Sequence, residues 1–419
     1  METLYINGGR ALEGDIDIVA SKNALLPILA GTILCDGVVD IDSIARFSDV
    51  DIMLKILDSL GCDVVEEDST VHIDSRHVSN SYIKEQYTKL VRSSIFMLGP
   101  LLARLGKAKV AYPGGCNIGN RPIDLHLKGL EDLNVKIEER HGFIECDGSS
   151  MKSGKVHLDF PSVGATENIM MASVFLKGDT IIYNAAREPE IEDLQHFLNS
   201  MGARIKGAGT STIEIRGVDR LHSTTYTPIR DRIIAGTYMI ATAMATGDTY
   251  IKGSDATHNM ALINKLKQAG VKVKIDKYGI RIMAKSRPKS ISVETMPYPG
   301  YPTDLQNQIL ALSTISKGTS IITENLYESR FKICHELSKM GANISVRNRM
   351  AIVTGVGNLY GANVVASDLR GGASLVLAGL IAEGYTTIED IHHIDRGYLN
   401  IEEDLCRLNA EIKRISIQN

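Results

Sequence analysis

Two arrangements of apolar and polar residues take turns along this chain. Short runs such as Thr212-Ile213-Glu214-Ile215 place an apolar side chain at every second position, which predicts a half-buried strand. Longer stretches such as Asn168-Ile169-Met170-Met171-Ala172-Ser173-Val174-Phe175-Leu176 are apolar almost throughout, which predicts a helix buried on all sides. A third pattern, amphipathic, runs through Leu194-Gln195-His196-Phe197-Leu198-Asn199-Ser200-Met201 and predicts a surface helix.

These patterns recur as a unit about every seventy residues from end to end. Six marks show it: Leu60-Gly61-Cys62-Asp63-Val64, Leu133-Asn134-Val135-Lys136-Ile137, Met201-Gly202-Ala203-Arg204-Ile205, Ala269-Gly270-Val271-Lys272-Val273, Met340-Gly341-Ala342-Asn343-Ile344 and Leu408-Asn409-Ala410-Glu411-Ile412. In each, a Gly or Asn suits a left-handed residue that ends a helix, and the alternation after it opens a strand. A second glycine precedes each mark and ends another helix: Gly37, Gly106, Gly178, Gly247, Gly318 and Gly384. The third copy predicts strands at 156–160, 180–183, 203–205 and 212–215, with helices at 166–176 and 191–201. The unit is therefore strand-helix-strand-helix-strand-strand.

The closing strand recurs in five copies, but the sixth runs out at Ile417-Gln418-Asn419. Leu4-Tyr5-Ile6 has the missing pattern and belongs to no copy, and a sheet edge left open is a liability. The N-terminal segment is therefore expected to complete the last repeat. The predicted fold is α/β, six βαβαββ repeats in two domains of three. Residues 22–230 form one domain and residues 1–21 with 231–419 the other, with a ligand cleft expected between them.

Composition narrows the chemistry. The 419 residues carry 46 basic and 50 acidic side chains, a net charge of −4 and 5% aromatics, so no global basic field or stacking platform invites nucleic acid. Any anion must be held by a local cluster. Six cysteines without a C-x-x-C pair, no leader pattern at Met1-Glu2-Thr3-Leu4 and no apolar run of bilayer length lead us to expect a reduced, cytoplasmic setting without a membrane partner.

The stretch Pro113-Gly114-Gly115-Cys116-Asn117-Ile118-Gly119-Asn120-Arg121-Pro122-Ile123-Asp124-Leu125-His126 sets one thiol among glycines, five residues before an arginine. It reads as a mobile lid carrying a reactive group, since a cationic neighbour favours thiolate. The alternative is a small buried apolar side chain, the reading given to Cys35, Cys62, Cys146, Cys334 and Cys406. Lys22, Arg92 and Arg370 stand at the starts of first helices, and Arg121, Arg330 and Arg396 in loops or at second-helix starts. A helix dipole disfavours cations at its start, so their shared placement points to a bound anion. Asp304 either caps the helix after it or serves as a general base. His392-His393 lacks metal-ligand spacing and reads as a polar loop pair. Neither a P-loop nor a dinucleotide fingerprint survives inspection, so no metal or cofactor is expected.

Taken in order, Pro113 to His126, Ser162-Val163-Gly164-Ala165-Thr166-Glu167-Asn168, Asp231-Arg232-Ile233, Tyr301-Pro302-Thr303-Asp304-Leu305-Gln306 and Asp368-Leu369-Arg370-Gly371-Gly372-Ala373 closely resemble the UDP-N-acetylglucosamine 1-carboxyvinyltransferase family over essentially the full length. The resemblance implies a cytoplasmic enzyme of peptidoglycan synthesis with a two-domain inside-out α/β barrel. Such an enzyme moves the enolpyruvyl group of phosphoenolpyruvate to the 3′-hydroxyl of UDP-N-acetylglucosamine, releases phosphate and is sensitive to fosfomycin. It further implies that Cys116 delivers a proton to the methylene carbon and can form a covalent phospholactoyl adduct, and that Asp304 takes the hydroxyl proton. By the same resemblance Lys22, Arg121 and Arg396 hold the phosphate, Arg330 and Arg370 face the carboxylate, and Asn23 touches the substituents of the tetrahedral carbon. The nucleotide sugar is expected on Arg92, on Arg121, Pro122, Ile123, Asp124 and Leu125, on Ser162, Val163 and Gly164, and on Asp304 and Leu326. Two rivals are a transferase of the same group to shikimate 3-phosphate and a non-catalytic sensor of UDP-N-acetylglucosamine.

Overall fold

The structure, a computed structural model, describes residues 2–113 and 123–416. They divide into two compact units, one made of 2–18 and 230–416, the other of 19–113 and 123–229. Six four-stranded sheets are present among the described residues, three in each unit. In the third copy, Lys155–His157 runs parallel to Asp179–Tyr183, and Thr212–Arg216 lies antiparallel between Asp179–Tyr183 and Arg204–Lys206. All six sheets repeat this one-parallel, two-antiparallel order.

Each unit is an inside-out α/β barrel, because the wholly apolar helices have nowhere to go but the centre. In the first unit Arg232–Met244, Gln306–Thr314 and Leu369–Ile381 pack on one another, and every residue of Arg232–Met244 is buried. Each fully buried Leu, Ile or Met there contributes about 1.5–3 kcal/mol. In the second unit Leu98–Leu105 packs on Val163–Ser173, while Lys22–Gly31 packs on the Arg92–Met97 turn and on Pro189–Ser200. The third copy's helices begin about three residues earlier than the apolar pattern suggests. Ser162 caps the first by accepting from the Ala165 amide at 3.4 Å, and Pro189 opens the second.

The N-terminal expectation holds. Glu2–Asn7 lies between Tyr385–Glu389 and Glu411–Ser416, with Leu4 opposite both Ile388 and Arg414. Two other exchanges were not foreseen. Thr224–Tyr226 supplies the parallel edge of the first copy's sheet beside Val38–Ile41, and Glu13–Asp17 does the same beside Asp248–Lys252 in the fourth. The six helix-ending marks all have positive φ, from 68° at Asn134 to 103° at Gly202. The earlier glycines split. Gly37 and Gly247 are not left-handed; a Cβ there would lie 2.4 Å from Ser223 Oγ and 2.1 Å from Leu12 O. Those two glycines make room for the incoming strands of copies one and four.

Candidate functional site

In the first unit, Asp304 sits in the single turn Thr303–Leu305 ahead of Gln306–Thr314. It caps neither element; the flanking positions Pro302 and Leu305 make no side-chain cap. Its Oδ1 accepts from Arg330 Nη2 at 2.8 Å and its Oδ2 from Arg370 Nη2 at 2.9 Å. The two arginine side chains are 3% and 5% exposed and the aspartate 26%, so the carboxylate is the more exposed member and its partners are buried behind it. Burial disfavours the charge on Arg370, yet Asp304, Tyr398 and Asp231 together outweigh it and the guanidinium is held above its usual range. The helix start that carries Arg370 is itself built for this: Asp368 accepts from the Arg370 and Gly371 amides at 3.0 and 2.9 Å. Below it, Tyr398 is buried, with its ring 5.8 Å from the Arg370 guanidinium and its hydroxyl 2.7 Å from Thr237 Oγ1.

Leu326 is half-buried on the loop that leads to Arg330, and its amide donates to Glu324. Arg396 is half-buried in the turn after Ile391–His393, where the preceding Asp395 accepts from both Nη atoms of Arg414 at 3.0 and 2.8 Å. His392 and His393 lie with ring centres 4.1 Å apart and planes tilted by 38°, and burial, His392 and Arg396 hold His393 below the usual range. No cluster of three His, Cys, Asp or Glu suited to a metal occurs among the described residues.

In the second unit, Lys22 opens its helix behind Ser21, and Nζ lies 3.6 Å from Asp49 Oδ2 with both residues buried. Asn23 beside it is half-buried. Arg92, also half-buried, starts the Arg92–Met97 turn. Ser162, Val163 and Gly164 form a half-buried helix start, and a Cβ on Gly164 would lie 2.8 Å from the His126 ring, so only glycine fits over that histidine. Ile123 is buried, Asp124 exposed and Leu125 half-buried at the start of Asp124–Asp132. Cys116, Arg121 and Pro122 lie outside the described residues.

The cations at helix starts therefore have carboxylate partners within their own units, Asp49 for Lys22 and Asp304 for Arg370. Sequence reasoning singled out the cations and missed Asp49, Glu324, Tyr398 and the buried Glu167. Only Asp49 left a trace, as an acid in the first turn of Ser48–Leu60. Of the five other cysteines, Cys35 and Cys62 are buried with thiols pushed up to about 11, and Cys146 and Cys334 to about 12, chiefly by desolvation. Cys406 departs from the buried reading: it is exposed, and its thiol donates to the Ile412 carbonyl at 3.1 Å.

Comparison with known proteins gives a consistent picture. Residues 6–405 match the family model described as EPSP synthase (3-phosphoshikimate 1-carboxyvinyltransferase). The chain is 51% identical over 416 residues to UDP-N-acetylglucosamine 1-carboxyvinyltransferase 2 of Caldanaerobacter subterraneus, covering 99% of this chain and 100% of that one. It is 47% identical over 416 residues to UDP-N-acetylglucosamine 1-carboxyvinyltransferase 1 of Carboxydothermus hydrogenoformans, covering 99% of each. Among solved structures, the enolpyruvyl transferase NikO from Streptomyces tendae superposes with a TM-score of 0.89 at 22% identity, over 100% of this chain and 99% of that one. An EPSP synthase from Acinetobacter baumannii superposes at 0.78 and 17%, over 99% and 100%. At those identities the two structures speak for the fold.

Proposed function

The chain belongs to the EPSP synthase family and, within it, to the UDP-N-acetylglucosamine 1-carboxyvinyltransferases, and on that premise we propose that it transfers the enolpyruvyl group of phosphoenolpyruvate to the 3′-hydroxyl of UDP-N-acetylglucosamine. Phosphate leaves, and the path is addition then elimination through a tetrahedral ketal. The observation that carries this reading is 51% identity over nearly the whole of both chains. Transfer to shikimate 3-phosphate is disfavoured, because the enzyme of that name is similar at only 17%.

The arrangement around Asp304 supports its role as the base. Two buried guanidiniums keep it ionised, as a proton acceptor must be. The same two groups suit the carboxylate of phosphoenolpyruvate. A substrate carboxylate pairing with them would share the two guanidiniums with Asp304 and set the acceptor's hydroxyl beside it. In this reading Lys22, Arg121 and Arg396 hold the phosphate, Asn23 lies by the tetrahedral carbon, and Cys116 gives the methylene carbon its proton or bonds covalently. Fixed cations stabilise the charge that builds as phosphate departs better than water does. Arg92, the Arg121 to Leu125 run, Ser162 to Gly164 and Leu326 hold the sugar nucleotide. The product feeds peptidoglycan synthesis in the cytoplasm, so cell shape and division depend on it, and fosfomycin alkylates Cys116.

Phosphate release measured with phosphoenolpyruvate and each acceptor tests the reading. Release with UDP-N-acetylglucosamine, abolished by fosfomycin in the wild type, is expected; release only with shikimate 3-phosphate overturns it. Binding of the sugar nucleotide with no release at any pH favours the sensor.

A further inference from the structure

Glu324 is fully buried, yet four donors converge on its carboxylate. Oε1 accepts from Thr295 Oγ1 at 2.9 Å, from the Leu326 amide at 2.8 Å and from the Tyr327 amide at 3.1 Å. Oε2 accepts from Thr303 Oγ1 at 2.8 Å. One carboxylate thus ties the end of the Thr319–Thr323 strand to two distant pieces of chain and to the loop that follows it. Thr295 follows the neighbouring strand Ser292–Glu294, Thr303 is the residue before Asp304, and Leu326-Tyr327 opens the loop to Arg330. A buried carboxylate is costly unless its lone pairs are filled, so the site is stable in one arrangement of those pieces only.

We infer that Glu324 is a positioning residue for the transfer reaction, holding the Thr303-Asp304 turn through one oxygen and the Leu326-Tyr327 loop through the other. This rests on the proposed roles of Asp304 as base and Leu326 as a sugar-nucleotide contact. The two oxygens serve two different kinetic quantities. The branch to Thr303 aims the base and acts on kcat. The branch to Leu326 and Tyr327 shapes the acceptor's binding loop and acts on KM for UDP-N-acetylglucosamine.

The test compares Thr303→Val, Glu324→Gln and Glu324→Ala by steady-state phosphate release, by calorimetric binding of UDP-N-acetylglucosamine and by thermal unfolding, with Asp304→Asn as control. Thr303→Val cuts only the first branch, so kcat should fall about 10-fold, the loss of one hydrogen bond to a charged group, with KM for the sugar nucleotide unchanged and the unfolding midpoint lowered because Oε2 loses that donor. Glu324→Gln still offers an oxygen to Thr295 and the two amides, and its NH₂ can donate to a reoriented Thr303 hydroxyl, so most activity should be rescued. Glu324→Ala should lower kcat and raise KM together. Should that variant fail to fold, the other two decide. Wild-type kcat in a folded Thr303→Val, or a Gln variant as impaired as Ala, overturns the inference. Full turnover in Asp304→Asn would instead overturn the role of Asp304, a result that Glu324 and Thr303 variants cannot mimic.

Discussion

Asp304, in the turn ahead of Gln306–Thr314, and Glu167, in the second turn of Val163–Ser173, are acids on two buried helices, one in each unit, and they are treated in opposite ways. Asp304 is partly exposed and faces two buried guanidiniums, so its charge is wanted. Glu167 is fully buried, and neither of its oxygens has a hydrogen-bond partner among the described residues. Burial first, then the charges of Glu190 and Glu188, raise it well above the usual carboxylate range, so folding disfavours its charged form. The same repeat can therefore hold an ionised base or suppress a charge. What decides is how deeply the acid is buried and whether neighbouring elements bring it cations or more carboxylates.

The largest expected effect lies on the Asp304 side. Asp304→Ala leaves two buried guanidiniums without their counter-charge and should lower unfolding stability by about 3 kcal/mol in denaturant titrations. Turnover should fall about 10³-fold as the base is lost, while calorimetry still finds UDP-N-acetylglucosamine bound. Arg370→Lys keeps a charge but loses the planar fork that reaches Asp304 and a carboxylate together. Its KM for phosphoenolpyruvate should rise about 10-fold in phosphate-release assays.

Glu167→Gln probes the other side. A carboxyl whose folded pKa is raised contributes stability that is full below its unfolded pKa and is lost as pH rises toward the folded one. Wild-type stability should therefore decline from about pH 4.5 upward through this group, at up to about 1.4 kcal/mol per pH unit, and the Gln variant should remove that part of the decline in thermal unfolding. A decline of the same size in both proteins would show that Glu167 is ionised in the fold. Smallest is Ser162→Ala, which removes the cap of the helix carrying Glu167. A 3.4 Å bond predicts a loss of about 0.5 kcal/mol by the same measurement.

Much of the chain was legible because local chemistry and global fold agree. The six left-handed Gly and Asn residues needed only the rule for ending a helix. The N-terminal strand could be placed because one repeat lacked a strand and one strand lacked a repeat. Gly37 and Gly247 looked like their counterparts in the other copies but answer to Ser223 and Leu12, far away in sequence, and no local pattern carries that information. The cations were visible in the same way, as charges where a helix dipole disfavours them.

By itself the sequence determined the sixfold α/β repeat, the wholly buried helices and the set of basic side chains at helix starts, since periodicity and capping act over a few residues. Only the tertiary structure decided that Asp304 faces Arg330 and Arg370, that Lys22 meets Asp49, that Glu324 holds Thr295 and Thr303, and that Glu167 has no hydrogen-bond partner among the described residues. The ion pairs and the Glu324 bonds to Thr295 and Thr303 join residues more than twenty positions apart, and the energy of a charge depends on what folding places around it.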